Sequence, residues 1–335
     1  MTVRRYTSPD EDSDRWRGFP FRDGDVVVSA RSKHGTTWVQ TILLLLIHGR
    51  PDLPAPVALL SPWLDHLVEP RDTVVSRLVA QRHRRVIKTH TPLHGVPVDP
   101  RAAYVVIARH PLDAAVSLYH QGDNIDRERL RQLVGVPSPP SSPRPPVREW
   151  LSAWVDHDVD PLGALDSLPG VLWHLSDAWS RRGHDHVVLV HYDDLLADLE
   201  GQMRRLAEAL DIVRSPERWR DLVRAATFPA MRERAQQLAP DAGGILRDPR
   251  AFFRRGTSGA APSCSGLGTW RATAGAPRRS PHRICLRGCT ADRHRVAVAA
   301  AAPPASCLRP QPCADNGRGL DVVVVPHPRT VSTEG

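Results

Sequence analysis

Three short clusters in this chain join residue types that hold anions and move protons. The first, Lys33-His-Gly-Thr-Thr-Trp38, lies between an apolar, β-branched run and a long aliphatic one. Where a strand turns into a helix, backbone N–H groups and the positive end of the helix dipole converge on a bound anion. Gly35 lets the backbone come close, Thr36 and Thr37 offer hydroxyl donors, and Lys33 offers a point charge. The order is not that of a Walker A loop, which needs Gly-Lys-Ser/Thr, because here the lysine precedes the glycine. Alone, the cluster fits any binder of phosphate or sulfate.

The second cluster is Lys88-Thr-His90. A neutral imidazole, with an ordinary pKa of about 6.5, can take a proton from an attacking hydroxyl at cellular pH, and a nearby ammonium can steady the charge that builds up. His90 is one of 16 histidines, and only its place two residues after a lysine separates it from a core or surface histidine. Of 45 basic side chains, Lys33 and Lys88 are the only lysines. Where arginine is the default cation, a lysine marks a position that wants a compact ammonium. The third cluster is Arg109-His-Pro-Leu-Asp-Ala-Ala-Val-Ser117. A guanidinium can grip a phosphate with two parallel hydrogen bonds, and a proline two residues later suits the first turn of a helix. Asp113 then reads as structural, a first-turn carboxylate facing the helix dipole. His94, His110 and His120 receive no role.

The elements that must position these clusters follow from the apolar pattern. Asp25–Ala30, Val86–Thr89, Tyr104–Arg109 and Val187–Tyr192 are short β-branched runs, as expected of buried parallel strands. Thr36–His48 predicts a helix closed by Gly49 and Pro51. An amphipathic helix is expected from Pro111 to about Gln121. Another is expected from Asp193 to Asp211, with Leu195, Leu199, Met203, Leu206 and Leu210 on one face. Residues 136–146 hold six prolines in eleven positions and predict a loop or lid. Alternating strands and helices imply an α/β domain with a parallel sheet covered on both faces.

In this order, the three clusters resemble the cytosolic-type sulfotransferase family. Its 5′-phosphosulfate loop usually reads Pro-Lys-Ser-Gly-Thr-Thr-Trp, so the chain departs from it at Ser32 and His34. Lys88-Thr-His90 is similar to the family's Lys-x-His element. Arg109 to Ser117 is similar to its 3′-phosphate motif, Arg-x-Pro-x-Asp with a serine eight residues after the arginine. Tyr192, Thr227, Phe228 and Met231 resemble residues that line the nucleotide, and Phe252-Phe-Arg-Arg-Gly256 resembles an Arg-Lys-Gly element that closes over the 3′-phosphate.

The resemblance spans roughly residues 20 to 259. It implies a central parallel β-sheet flanked by helices, the P-loop NTPase-like sulfotransferase fold. The activity it implies is transfer of a sulfuryl group from 3′-phosphoadenylyl sulfate (PAPS), as co-substrate, to a hydroxyl or amine of a small-molecule acceptor. On this pattern His90 is the general base, with Lys33 and Lys88 as the catalytic cations. The donor is held by Lys33, His34, Gly35, Thr36, Thr37 and Trp38, then by Arg109, Ser117, Tyr192, Thr227, Phe228, Arg254, Arg255 and Gly256. Acceptor contacts are expected from residues 61–75 and 122–146. The alternative is a non-catalytic PAPS- or PAP-binding protein, or an inactive truncated sulfotransferase. A P-loop kinase is disfavoured by the lack of Gly-Lys-Ser/Thr.

The formal charge of +8 is unevenly spread. Beyond residue 260 ten arginines face only Asp292, Asp315, Asp321 and Glu334, and Cys264, Cys285, Cys289, Cys307 and Cys313 all lie there. The basic excess thus avoids the globular part, so no nucleic-acid partner is expected. Cys285 and Cys289 lack a second pair at ligand spacing, so no metal site is expected. The longest apolar run, Ile42–Ile47, is far short of a membrane span, and the polar N-terminus lacks a secretory pattern. A cytoplasmic protein is therefore expected, with no membrane partner. Nothing in the sequence bears on oligomeric state. Three segments are expected: an N-terminal segment 1–20, a sulfotransferase domain 21–260, and an aberrant or disordered tail 261–335. The tail's lost periodicity is read as a shift of reading frame near residue 260.

Overall fold

The computed structural model describes residues 3–135, 143–241 and 243–259. The expectations for the tail and its cysteines, and for residues 136–142 of the proline-rich loop, lie outside the described residues.

Four strands form one parallel sheet: β1 (Val26–Ser29), β2 (Val86–Thr89), β3 (Ala103–Ala108) and β4 (Val187–His191), in the order β2-β1-β3-β4. The connection after β1 leads outward to β2, and the chain then crosses back to place β3 on the other side of β1. The strand order therefore reverses at β1 and β3, and the carboxyl ends of those strands open a crevice of the kind where ligands bind in such sheets.

Period-two alternation sends the strand side chains to two separate cores. Val26, Val28, Val105 and Ile107 face the helix Thr36–His48, in which Ile42 to Leu46 are completely buried. Val27, Ile87, Tyr104 and Val106 face Trp16, Phe19, Phe21, Leu64 and Leu78. Each fully buried aliphatic side chain of that helix is worth roughly 1.5–3 kcal/mol, so the helix start, which carries Gly35 to Trp38, is held firmly. Residues 3–20 are tied to the sheet, since Trp16 is wholly buried in the second core and Tyr6 is nearly buried. No helix among the described residues is long and apolar enough to cross a membrane.

The helix Thr36–His48 has the bounds expected of it, closed by Gly49 in the left-handed conformation. The single helix expected over 193–211 is instead two, Tyr192–Ala197 and Leu199–Ala209. Asp198 breaks it: its backbone lies at φ −148°, and its carboxylate caps the second helix by accepting from the Gly201 N–H at 2.8 Å. Tyr192 starts the first of these helices and does not end β4. The helix from Pro111 runs on to Asn124.

At the opposite end of the sheet, Asp25 and Arg85 form an ion pair with both side chains about 1% exposed. Arg85 Nε donates to Asp25 Oδ1 at 2.8 Å and Nη2 to the Pro20 carbonyl at 2.8 Å, which aligns the starts of β1 and β2. Removing one member of such a pair strands the other charge, at a cost of about 3–5 kcal/mol. Arg85→Ala is expected to destabilise the fold by that amount in chemical denaturation; a loss below about 1 kcal/mol would contradict the role given to the pair.

Candidate active site

All four strands deliver residues to the crevice from their carboxyl ends: the loop Arg31–Gly35 after β1, Lys88 to His90 at β2, Arg109 after β3 and Tyr192 after β4. In the first loop two consecutive odd positions take positive φ, Lys33 at 67° and Gly35 at 106°. A lysine there is unusual, since left-handed backbone suits glycine. A Cβ on Gly35 would stand 2.9 Å from Cδ2 of Tyr192, so the loop can lie against that ring only with glycine at this position.

Arg109 ties the crevice together. Its Nη1 donates to the Lys33 carbonyl at 3.1 Å and its Nη2 to the Thr257 carbonyl at 3.0 Å, while the guanidinium lies 4.1 Å over the Tyr192 ring. Its buried Nε has no partner among the described residues. The segment 254–259 is held from a second side, because Asp113 accepts the Gly259 N–H at 2.8 Å and Ser258 bonds Asp193. Trp38 is fixed by its indole N–H, which donates to the Ala226 carbonyl at 2.8 Å, and meets Tyr192 edge to face.

One cavity runs along this assembly. Lys33, Gly35, Thr36, Thr37 and Trp38 line one part of it, with Lys88. Arg109, Ser117, Tyr192, Phe228, Arg254, Arg255 and Gly256 line the rest. A second cavity, of about 540 Å³, adjoins it and is walled by Trp63, Leu118, Ile125, Leu130 and Trp154. Lys33 and Lys88 border both. Burial, with Arg109, Lys88 and Arg254 nearby, pushes Lys33 down to about 7. Burial pushes Lys88 down to about 8, although Glu11, Asp65 and Asp10 pull it up. Cations crowded in this way favour an anion between them. Among the described residues no group of three or more His, Cys, Asp or Glu is placed to hold a metal ion.

The His90 ring is anchored: Nδ1 donates to the Ala30 carbonyl, and Arg31 Nη1 donates to the carbonyl of His90 itself. That fixes the tautomer in which Nε2 carries the lone pair. Burial, then Lys88 and Arg31, hold the imidazole well below its ordinary range, so it is neutral at cellular pH. His90 is 5% exposed and lines neither cavity; its ring meets that of Trp63 edge to face at 4.4 Å.

A family model described as the sulfotransferase domain matches residues 23–260. The chain belongs to the sulfotransferase family. This sulfotransferase is 41% identical over 276 residues to a glycolipid sulfotransferase of Mycobacterium bovis, covering 76% of this chain and 84% of that one. A glycolipid sulfotransferase of Mycobacterium tuberculosis matches at the same identity and coverage over 275 residues. In fold it is similar to retinol dehydratase in a complex with retinol and PAP, with a TM-score of 0.56 at 21% identity over 75% of this chain and 78% of that one.

Two expected donor contacts of this sulfotransferase are turned aside. The His34 ring is buried beneath its own loop, with Nδ1 against the carbonyls of Arg31 and Ser32 at 3.2 and 3.1 Å. The Thr227 hydroxyl donates back to the Arg224 carbonyl at 2.8 Å, and Thr227 does not line the cavity. Two positioning carboxylates, Asp65 and Asp166, were not foreseen. Asp65 Oδ2 accepts from the Trp16 indole, Thr89 and Thr91, which clamps both sides of His90. Arg31 and Ser32 both donate to Asp166, bracing the anion loop. Partners this distant in sequence leave no local motif; the only signal was an acidic residue beside each cluster in space.

Gly35→Ala is expected to cost about 1–2 kcal/mol for the left-handed backbone alone and to displace Tyr192. Calorimetry should find PAP binding weakened at least tenfold, and undiminished affinity would contradict the close approach described for this loop.

Proposed function

We propose that this sulfotransferase takes the sulfuryl group from PAPS and passes it to a hydroxyl of a small acceptor whose apolar body occupies the larger cavity. The observation that carries the reading is the shared wall: the only two lysines of the chain stand where the two cavities meet. The residues present fit an anionic nucleotide. The positive-φ loop, the two buried lysines and the Nε of Arg109, which has no partner among the described residues, form a cradle that an anion fits, with Arg254 and Arg255 on its rim. The PAP in the retinol dehydratase complex supports the same donor here. The mycobacterial relatives' naming as glycolipid sulfotransferases supports an amphiphilic acceptor.

PAPS, when bound, supplies an activated sulfuryl group on a phosphate leaving group. The chain's own residues do the rest. Lys33 steadies the departing phosphate oxygen, and Lys88 steadies the oxygens of the transferring group. Arg109, Ser117 and the 254–256 segment orient the nucleotide through its 3′-phosphate. His90 Nε2 takes the acceptor's proton as the new S–O bond forms and the bond to the phosphate oxygen breaks. An anion beside Lys88 also raises the basicity of His90, because it offsets the positive field that depresses the ring.

Transfer of labelled sulfate from PAPS to a panel of alcohols and phenols tests the proposal. His90→Ala is expected to lower kcat at least 100-fold while PAP affinity is kept; Lys33→Ala should lower both. PAP binding without transfer to any acceptor would favour a binding protein instead. The depressed lysines give a second expectation. At pH 8 Lys33 is largely neutral in the free protein, and a phosphate beside it raises its pKa, so PAP binding takes up about one proton. Calorimetry in buffers of different ionisation enthalpy reads this directly; proton release, or none at pH 8, would count against the assignment of Lys33.

A further inference from the structure

The larger cavity contains a carboxyl group that the transfer chemistry does not use. Glu11 is only 8% exposed, yet it lines the wall of this cavity beside Trp63 and His66. Its backbone is fixed by a bridge to His66 and by its N–H, which donates to the Ser8 hydroxyl at 3.0 Å. The carboxyl itself is poorly matched. Oε2 has one contact, Arg31 Nη1 at the long distance of 3.5 Å, and Oε1 has no hydrogen-bond partner among the described residues. Arg31 is already engaged elsewhere, with Nη2 on Asp166 at 2.8 Å and Nη1 on the His90 carbonyl. A buried carboxyl left open on a cavity costs stability unless something that enters the cavity pairs with it.

We propose that Glu11 binds a second hydroxyl of the acceptor, next to the one sulfated, so that the enzyme selects polyhydroxylated amphiphiles over simple alcohols. The inference rests on the function proposed here. A protonated carboxyl offers one O–H donor and one free acceptor, the same pair that a hydroxyl presents in return. Burial, with Asp166, Asp65 and Asp10 around it, pushes Glu11 up to about 8 against the pull of Arg31, so it is protonated at cellular pH. The other groups facing it are Lys88 and His66. Burial and the charges of Lys88 and Arg15 push His66 down to about 3, which leaves it neutral. An acceptor with a single hydroxyl leaves the Glu11 carboxyl unpaired, and sites built to bond a substrate hydroxyl reject analogues that lack it. Trp63 and His66, stacked 3.9 Å apart and nearly parallel, make a rigid wall of the cavity beside the carboxyl.

The test compares octyl glucoside, below its micelle concentration, with 1-octanol as acceptors for the wild type, Glu11→Gln and Glu11→Ala. The wild type is expected to favour the glucoside by about tenfold or more in kcat/KM. Glu11→Ala should raise KM for the glucoside about tenfold while PAP affinity and the KM for octanol hold; any change in kcat through Lys88 should be the same for both acceptors. Glu11→Gln should keep the preference, since a carboxamide also donates and accepts. In the wild type the preference should fade as pH rises through about 8, where the carboxyl loses its donor, and in Glu11→Gln it should not. The inference is overturned by a wild type without the preference, by equal losses of kcat/KM on both acceptors in Glu11→Ala, or by a glutamine variant no better than alanine. If Glu11→Ala does not fold, the wild type and Glu11→Gln decide. A wild type that sulfates neither compound but sulfates other alcohols overturns only this inference. One that sulfates nothing overturns the proposed function with it.

Discussion

One guanidinium sets the spacing of the active site. Arg109 reaches the carbonyl of Lys33 on one side and that of Thr257 on the other, so two segments more than 200 residues apart are held at a fixed distance. With two donors committed to the backbone, Arg109 is a strut. The strut works because its own strand end is rigid: β3 lies between β1 and β4, with hydrogen-bond ladders on both sides. Tyr192 completes the joint by packing under the guanidinium while its other edge meets Trp38 and the bare Cα of Gly35.

This joint explains how a sheet of four short strands can organise a site of so many cations. Lys33, Lys88, Arg109, Arg254 and Arg255 line one crevice; burial lowers the proton affinity of both lysines, and the charges of Arg109, Lys88 and Arg254 repel Lys33 further. Hydrophobic burial on both faces of the sheet offsets that repulsion. The carboxylates follow the same division: Asp113 and Asp193 hold the 254–259 segment, while Asp65 and Asp166 hold the loops around His90 and Lys33. None of these four lines the cavity with the arginine cluster.

Much of this was legible in the sequence wherever the signal was local. β-branched runs gave β1 and β2 to within a residue, and the helix between Gly35 and Gly49 follows from its own caps. The anion loop and the Arg109 to Ser117 motif were legible because each is one strand end joined to one helix start. The break at Asp198 was not, because an aspartate is tolerated inside a helical pattern and here caps instead. His34 could not be told from its neighbours, since a loop side chain faces in or out according to what packs beneath it. Glu11, Trp63 and Asp166 come from segments without a motif and meet only through the tertiary fold.

His90 is a fixed point. Its ring is bonded through Nδ1, its carbonyl is held by Arg31, and the threonines on either side are tethered to Asp65. Trp63 packs edge to face against the ring and closes it in from a further side. A ring pinned in this way has little rotational freedom left to lose, so the cost of ordering it is met when the chain folds and not each time a molecule enters the crevice.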